Sequence, residues 1–164
     1  MKPVWRKTNI LIVDEVSMMS KKIFEVLDEI GRLMRGNQRP FGGIQVIFTG
    51  DFYQLPPVGN PAEPDTELFC FESPRWTTTF SLDNHIELKT IFRQTDPIYK
   101  EILLQIRVGQ LTIENQDLLK TYVKRPYDSS LYNGFIPTKL FPTRMKTDYL
   151  NTTMFAKLDS PEYN

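Results

Sequence analysis

Two aliphatic runs, each followed closely by an acidic residue, constrain the fold of this chain more than any other feature of its sequence. Residues 10–13 precede Asp14 and Glu15, and residues 44–48 end shortly before Asp51. The first run does not alternate with polar residues, which is typical of a strand that is buried on both faces of a parallel sheet. The second run predicts a further apolar strand. Each strand is expected to lead into an acidic loop.

The segment between the two runs predicts an amphipathic helix from Ser20 to about Arg35. Ser20 is a suitable N-cap, and Gly36 suits the left-handed residue that ends a helix. Strand, helix and strand then form a βαβ unit, whose crossover is nearly always right-handed. Because ligands of open α/β sheets bind outside the carboxyl ends of the strands, the acidic loops are expected on the side where chemistry occurs.

This helix is expected to have an apolar face and a charged face. The charged face would carry two ion pairs at a spacing of four residues, Lys21 with Glu25 and Asp28 with Arg32. The apolar face is formed by residues that recur at a spacing of three and four, namely Ile23, Val26, Leu27, Ile30, Leu33 and Met34.

The remainder of the chain predicts mostly loops and helices. Five prolines break residues 56–74 into an irregular surface excursion. Asp96 and Pro97 suit the N-cap and first position of a helix that ends at Gly109, and Thr112 suits the cap of a second helix. The predicted elements are a strand at 85–88, helices at 97–108 and 112–122, a loop at 127–137, a strand at 139–141 and a helix at 144–158.

Composition excludes several classes of protein. No apolar run approaches the ~20 residues that a membrane-spanning helix needs, so no membrane partner is expected. The 20 basic and 20 acidic residues give no overall positive field of the kind that marks a small basic DNA-binding module. The single cysteine, Cys70, excludes an internal disulfide and a zinc site built on several cysteines. The first eight residues lack the apolar core of a secretory signal.

The acidic loops contain residue types that suit nucleotide hydrolysis. An aspartate at a strand end can hold Mg²⁺ through its water shell, and the adjacent acid can deprotonate the attacking water. Gln54 follows Gly50 by four residues, and its neutral amide can bond a γ-phosphate and a water without adding charge. Two structural alternatives stay open at this point. Asp14 and Glu15 could cap a helix, and Gln54 could be a solvated residue in a proline-braced loop.

Ordered motifs along the chain resemble those of superfamily 1 helicases. Residues 14–18 look like helicase motif II, and residues 50–58 closely resemble motif III of the petite-integration-frequency and RecD-like helicases. Residues 88–94 look like motif IV. Residues 140–144, followed by Asn151, are similar to the start of the second motor domain. The signature segment that distinguishes this family is matched by residues 30–32 and 40–45.

The resemblance implies nucleotide-site roles for four residues. Asp14 would hold the Mg²⁺ that accompanies ATP, and Glu15 would be the general base. Gln54 would couple the state of the γ-phosphate to the DNA path. Arg93 would contact the γ-phosphate from across the cleft and stabilise the charge of the transition state.

The resemblance also implies contacts with DNA. Thr143 would touch the backbone of the single strand, and Phe52 and Tyr53 could stack on bases. Core packing behind the motif III loop is an equal alternative for one of these two aromatic residues. His85 stands alone among the residues of a predicted strand and is interpreted as structural.

The implied fold class is α/β: part of a RecA-like P-loop motor domain, with a parallel sheet and flanking helices, and the beginning of a second RecA-like domain. The implied divisions are residues 1–94 in the first motor domain, 95–137 as a helical connector and 138–164 in the second. The resemblance implies that the chain is a fragment of an intracellular ATP-dependent 5′-to-3′ DNA helicase. It would act on single-stranded and forked DNA in replication, repair, recombination or telomere maintenance.

The sequence departs from this family, since the 164 residues lack the phosphate-cradling loop and the later motifs of the second motor domain. It contains no G-x-x-x-x-G-K-[S/T] segment, the loop that cradles phosphates. We therefore expect the 164 residues alone neither to bind ATP usefully nor to unwind DNA. We also expect the absence of the P-loop strand to leave apolar strand edges exposed, which favours partial disorder or aggregation.

Two other functions are compatible with parts of the sequence. One is a non-catalytic remnant that binds DNA or a partner helicase. The other is a metal-dependent nuclease that uses Asp14, Glu15 and Asp51, an interpretation that leaves Gln54 and Arg93 without a role.

Overall fold

The computed structural model describes residues 2–128, 130 and 137–158. Contacts divide the chain into two compact units, Met1–Leu118 and Leu119–Asn164. No helix in the described part is long and apolar enough to cross a bilayer. The helices and strands are α1 (Lys2–Lys7), β1 (Ile10–Val13), α2 (Lys21–Arg35), β2 (Gln45–Phe48), α3 (Trp76–Thr79), α4 (Pro97–Arg107), α5 (Ile113–Tyr122) and α6 (Arg144–Phe155). Short 3-10 turns occupy Val16–Met18, Pro40–Gly43, Pro64–Thr66, Cys70–Glu72 and Leu82–Asn84.

The two strands form a parallel pair, which confirms the βαβ prediction. Ile10 lies opposite Gln45, and Val13 lies opposite Phe48. Leu11, Val46 and Phe48 pack against the buried core. The predicted burial of both faces is wrong, because α2 and the core cover one face of the pair only. The other face stays open, with Ile10, Ile12 and Ile47 at 53%, 65% and 41% exposure.

Helix α2 begins and ends as the sequence predicts, but it buries a different face. Ser20 Oγ accepts a hydrogen bond from the N–H of Ile23 (3.3 Å), and Gly36 adopts φ 61°. The buried line of the helix is Phe24, Asp28 and Gly31. Several residues of the predicted apolar face are exposed instead: Ile23, Val26 and Leu33.

The predicted ion pair between Asp28 and Arg32 is confirmed, but Asp28 is fully buried, so its predicted place on the charged face is wrong. Its Oδ1 accepts a hydrogen bond from the backbone N–H of Phe41 (2.7 Å). Arg32 Nε donates to both carboxylate oxygens (3.0 and 2.9 Å), and an Arg75 NH group donates to Oδ2 (3.1 Å). A carboxylate can be buried here because two guanidinium groups and a backbone N–H replace its water.

The predicted ion pair between Lys21 and Glu25 is replaced by partners from the proline-rich segment. Lys21 Nζ lies 2.9 Å from Asp65 Oδ1. Glu25 Oε1 accepts a hydrogen bond from the hydroxyl of Ser73 (2.7 Å). The excursion at residues 56–74 is therefore fastened to the start of α2.

The segment between α2 and β2 packs backbone against backbone. Phe41 and Gly42 both adopt left-handed conformations, with φ 50° and 65°. A Cβ placed on Gly31 would lie 2.7 Å from the carbonyl carbon of Phe41, and one on Gly42 would lie 2.3 Å from the carbonyl oxygen of Gly31. Glycine at both positions is what permits this contact. This backbone contact places the Phe41 ring in the core, where its centroid lies 5.6 Å from the centroid of the Phe24 ring.

Arg35 at the end of α2 connects this segment to α1. Its Nε donates to the carbonyl of Gly42 (2.9 Å). One of its NH groups donates to the carbonyls of Trp5, Arg6 and Thr8 at 3.0, 3.2 and 2.9 Å. These carbonyls lie at the end of α1, where a helix has acceptors without intrahelical donors and a negative dipole end.

Beyond β2, the predicted helices are confirmed and the predicted strands are wrong. Asp96 Oδ1 accepts from the N–H groups of Ile98 (2.8 Å) and Tyr99 (3.0 Å), as an N-cap does. Residues 85–88 and 139–141 form no strand, since neither segment finds a neighbouring strand to pair with in the described part of the chain. Most of the predicted loop at 127–137 lies outside the described residues.

We expect the open face of the sheet to drive self-association of the 164-residue chain. Replacing Ile12 by Lys should shift the chain towards monomer, because a charge on this face opposes apolar contact. Replacing Leu33, an exposed residue of α2, by Lys is the matched control and should have little effect. Sedimentation velocity measures both. A wild-type chain that is monomeric and melts cooperatively would contradict the expectation.

Candidate functional site

The carboxyl ends of β1 and β2 are joined by three hydrogen bonds. The N–H of Thr49 donates to the carbonyl of Val13 (2.8 Å), and the N–H of Val16 donates to the carbonyl of Thr49 (3.0 Å). The hydroxyl of Thr49 donates to Asp14 Oδ1. The loop that carries Asp14 and the loop that carries Gln54 are therefore one connected structure, on the side of the sheet that the sequence predicts for chemistry.

Asp14 is exposed and held in its charged form. The Thr49 hydroxyl, and after it the backbone N–H of Glu15 (2.9 Å), lower the pKa of the Asp14 carboxyl below its usual value. Both bonds reach Oδ1, and no hydrogen bond to Oδ2 is found among the described residues. An oriented carboxylate with one oxygen open to solvent is a hard ligand that suits Mg²⁺ or a water of its shell.

Glu15 directly follows with an unusual backbone conformation. Its φ and ψ are 54° and 44°, in the left-handed region that non-glycine residues rarely occupy. The residue precedes the 3-10 turn Val16–Met18, and its side chain makes no capping hydrogen bond to that turn. This observation argues against the structural alternative in which Asp14 and Glu15 serve as a helix cap.

Gly50 packs directly against the motif II segment. Its φ is 154°, and a Cβ at this position would lie 2.7 Å from the backbone nitrogen of Val16 and 3.0 Å from Val16 Cγ1. Val16 itself is buried in the core cluster. The absence of a side chain at Gly50 thus allows the motif III loop to approach motif II.

Replacing Gly50 by Ala should destabilise the fold by about 2–4 kcal/mol, from backbone strain and overpacking against Val16. Gly36→Ala is the matched control. It places alanine at φ 61° but meets nothing within 4 Å, so strain alone should cost about 1–2 kcal/mol. Urea unfolding of the two variants compares them. Equal losses would show that the contact with Val16 contributes nothing.

The motif III loop is fastened at Asp51 by a residue far along the chain. Arg107, the last residue of α4, donates from Nε to Asp51 Oδ2 (2.8 Å) and from a terminal NH group to Oδ1 (2.9 Å). The Arg107 side chain lowers the pKa of the Asp51 carboxyl, with smaller contributions from the N–H of Tyr53 and the side chain of Gln54. Because Arg107 occupies both Asp51 oxygens, this carboxylate is poorly placed to bind a metal. That disfavours the nuclease interpretation.

The two aromatic residues of the loop lie in different environments. Phe52 is half-buried and makes edge contacts with Phe69, Phe71 and Trp76, at centroid distances of 5.8, 4.8 and 6.3 Å. Core packing, the alternative left open by the sequence, is what the structure shows for Phe52. Tyr53 is 65% exposed, and the Arg107 guanidinium lies 4.4 Å from its ring centroid.

The other predicted site residues lie on exposed parts of the chain. Gln54 is exposed, and its backbone N–H donates to the carbonyl of Asp51 (2.9 Å). Arg93 is exposed, and no ion pair or hydrogen bond of its side chain is found in the described part. Thr143 belongs to the second unit, where it precedes α6 without a side-chain capping bond. The structure therefore brings Asp14, Glu15 and Gln54 onto one pair of connected loops, while the roles of Arg93 and Thr143 stay predictions.

His85 and Cys70 are held by contacts that stabilise the fold. His85 Nε2 accepts from Trp76 Nε1 (3.3 Å), which leaves Nδ1 to donate to the carbonyl of Ser81 (3.0 Å). Cys70 is fully buried, and burial raises the pKa of its thiol to about 11. A thiol of that kind is inert, since reactivity requires the thiolate.

Sequence reasoning missed two residues of this site, Thr49 and Arg107. Thr49 directly follows β2, and its position between a strand and Gly50 could have pointed to it. Arg107 lies 56 positions after Asp51, and no local pattern connects the two.

Comparison with known sequences gives consistent matches. A family model described as PIF1-like helicase matches residues 1–117. The ATP-dependent DNA helicase PIF1 of Emericella nidulans is 40% identical over 154 residues, covering 94% of this chain and 20% of that protein. The ATP-dependent DNA helicase RRM3 of Saccharomyces cerevisiae is 39% identical over 159 residues, covering 97% of this chain and 21% of that protein. This chain thus spans about a fifth of the length of the curated relatives it matches.

Comparison with solved structures agrees. The crystal structure of Pif1 helicase from Candida albicans superposes with a TM-score of 0.83 at 35% identity, over 98% of this chain and 34% of that one. The structure of Pif1 helicase from Bacteroides in complex with ADP-AlF3 and ssDNA superposes with a TM-score of 0.78 at 31% identity, over 98% of this chain and 38% of that one. Both confirm the α/β, RecA-like fold class.

Proposed function

Because this chain belongs to the PIF1-like helicase family, we propose that it supplies the metal-holding and hydrolysis-sensing part of an ATP-dependent DNA helicase. The observation that carries the proposal is the connection at the ends of the two parallel strands. There the Thr49 hydroxyl binds Asp14, and Gly50 packs against Val16. These contacts join the motif III loop to the loop that carries the two acids.

The residues of these loops fit Mg²⁺–ATP chemistry. Bound ATP with its metal supplies a phosphoanhydride bond whose γ-phosphoryl group is transferred to water. Asp14 would hold the Mg²⁺ through its open carboxylate oxygen, and Glu15 would accept the proton of the attacking water. Gln54 donates to, or accepts from, the γ-phosphate region without adding charge. Arg93 neutralises the charge that develops on the transferring group.

The chain also contributes to the path of DNA. A solved relative from Bacteroides binds ADP-AlF3 and ssDNA together, and another solved structure concerns DNA unwinding at forked dsDNA by two coordinating Pif1 helicases. We propose that single-stranded and forked DNA are the substrates here as well, with Tyr53 stacking on a base and Thr143 contacting the strand backbone. Phe52 supports the loop from the core.

We propose that the chain divides into three regions. Residues 1–94 belong to the first motor domain, 95–137 connect, and 138–164 begin the second. The 164 residues contain no phosphate-cradling loop, so hydrolysis requires that loop from elsewhere in the polypeptide or from a partner.

The experiment is ATP hydrolysis by the cellular protein product that contains residues 1–164, measured with and without single-stranded oligo(dT). Hydrolysis that requires Mg²⁺ and is stimulated by DNA supports the proposal. DNA binding without hydrolysis in a product that does contain a phosphate-cradling loop would favour the inactive remnant. DNA cleavage without nucleotide would favour the nuclease.

A further inference from the structure

Arg107 contacts two residues of the motif III loop, Asp51 and Tyr53. Its guanidinium forms two parallel hydrogen bonds with the Asp51 carboxylate, at 2.8 and 2.9 Å. The same guanidinium lies over the Tyr53 ring, 4.4 Å from its centroid. Arg107 belongs to α4, which begins shortly after Arg93 in motif IV. One side chain thus connects the helix after motif IV with two residues of motif III.

The geometry of this contact is more specific than an ordinary surface ion pair. Exposed lysine–carboxylate pairs leave both side chains mobile and contribute little. The planar guanidinium fork fixes the orientation of the carboxylate, and its flat face fits an aromatic ring. The side chains of Arg107 and Asp51 are 41% and 25% exposed, so the fork geometry distinguishes this contact and burial does not.

The contacts of Arg107 lie next to the two residues to which ligand roles are proposed, Tyr53 and Gln54. Asp51 Oδ1 also accepts the backbone N–H of Tyr53 (3.0 Å), and the Asp51 carbonyl accepts the N–H of Gln54 (2.9 Å). Phe52 is anchored in the core and Pro57 is buried, so Tyr53 and Gln54 lie in the exposed stretch between two anchors. In the described structure, Arg107 reaches this loop from far along the chain, through hydrogen bonds to Asp51 and a contact with the Tyr53 ring.

We propose that Arg107 is a positioning residue that couples DNA contact at Tyr53 to the nucleotide sensor Gln54. The inference rests on the proposed function and deepens it. Arg107 covers one side of the Tyr53 ring, so a base can stack on the opposite side of a ring that is already oriented. Through Asp51 the same residue fixes the backbone from which Gln54 projects. A base bound at Tyr53 then alters the hydrogen bonds between Arg107 and Asp51, and through Asp51 it alters the position of Gln54.

The first test measures positioning directly, by amide hydrogen exchange of the cellular product. Arg107→Ala should speed exchange at the Tyr53 and Gln54 amides by about tenfold and leave β1 unchanged. Arg107→Lys should lie between, since lysine keeps the charge and loses the fork. The matched control is Arg125→Ala, which removes another guanidinium that lies over a tyrosine ring, Tyr122, at 5.5 Å. Unchanged exchange in Arg107→Ala would overturn the inference.

The second test measures coupling. With oligo(dT) as the probe, Arg107→Ala should raise the DNA concentration for half-maximal ATP hydrolysis by about tenfold, while KM for ATP changes by no more than about twofold. Asp51→Asn should behave alike, and the double variant should be no worse than either single one. Equal DNA requirements in wild type and Arg107→Ala would overturn this inference alone. A wild-type product without DNA-stimulated hydrolysis would overturn the proposed function, and the inference with it.

Discussion

Replacing Glu15 by Gln should lower DNA-stimulated ATP hydrolysis by about a hundredfold to ten-thousandfold, the usual contribution of a positioned general base. The substitution keeps the size of the side chain and removes the basic oxygen. Nucleotide binding should persist, because Asp14 and its bond from Thr49 are untouched. The measurement is the steady-state hydrolysis rate of the cellular product, with ATP affinity determined in parallel.

The control for Glu15 is another exposed glutamate. Glu29 lies on α2, away from both loops, and Glu29→Gln should leave the rate within about twofold of wild type. If Glu15→Gln retained wild-type hydrolysis, a different group would have to accept the proton. The site assignment at the end of β1 would then be wrong.

The largest effect on stability is expected at Asp28. Replacing it by Ala leaves two guanidinium groups, of Arg32 and Arg75, and the buried N–H of Phe41 without their acceptor. The Arg32 and Arg75 side chains stay 25% and 40% exposed, so the loss comes from the orphaned Phe41 N–H and the lost hydrogen bonds to a charged acceptor. At about 1.5–3 kcal/mol for each well-buried bond, the total should be about 3–5 kcal/mol. The free energy of unfolding, from guanidinium titration at low protein concentration, measures the loss.

Two comparisons make this prediction specific. Asp28→Asn keeps an oxygen acceptor for Phe41 and should lose less stability than Asp28→Ala. Asp65→Ala removes the exposed partner of Lys21 and should leave the unfolding midpoint nearly unchanged. If Asp28→Ala and Asp65→Ala were equally mild, the buried carboxylate would not hold α2 to the Phe41 segment.

Local patterns were sufficient to predict the elements that place the site. The apolar runs before Asp14 and Asp51 form parallel strands, and Ser20 and Gly36 cap α2 as expected. These features depend on neighbours within a few residues, such as the bond from the Ile23 N–H to Ser20. The position of the acidic loops follows from strand direction alone.

Long-range contacts explain what the sequence did not reveal. Asp28 and Arg32 fit a surface pair by spacing, but Arg75 and Phe41 arrive from other parts of the chain and make burial possible. Arg107 reaches Asp51 across 56 positions for the same reason. Residues 85–88 carry the composition of a strand, and they lack a neighbouring strand with which to pair. Alternation and propensity contain no information on such partners.

The central claim is that the ends of β1 and β2 form the metal and sensor side of an ATP site. The most direct test is a structure of the cellular product bound to ADP–aluminium fluoride, Mg²⁺ and single-stranded DNA. We predict that the metal's water shell contacts Asp14, that Gln54 and Arg93 lie within hydrogen-bond distance of the fluoride group, and that a base stacks on Tyr53. A nucleotide bound away from Asp14, with Gln54 and Arg93 both in solvent, would contradict the claim.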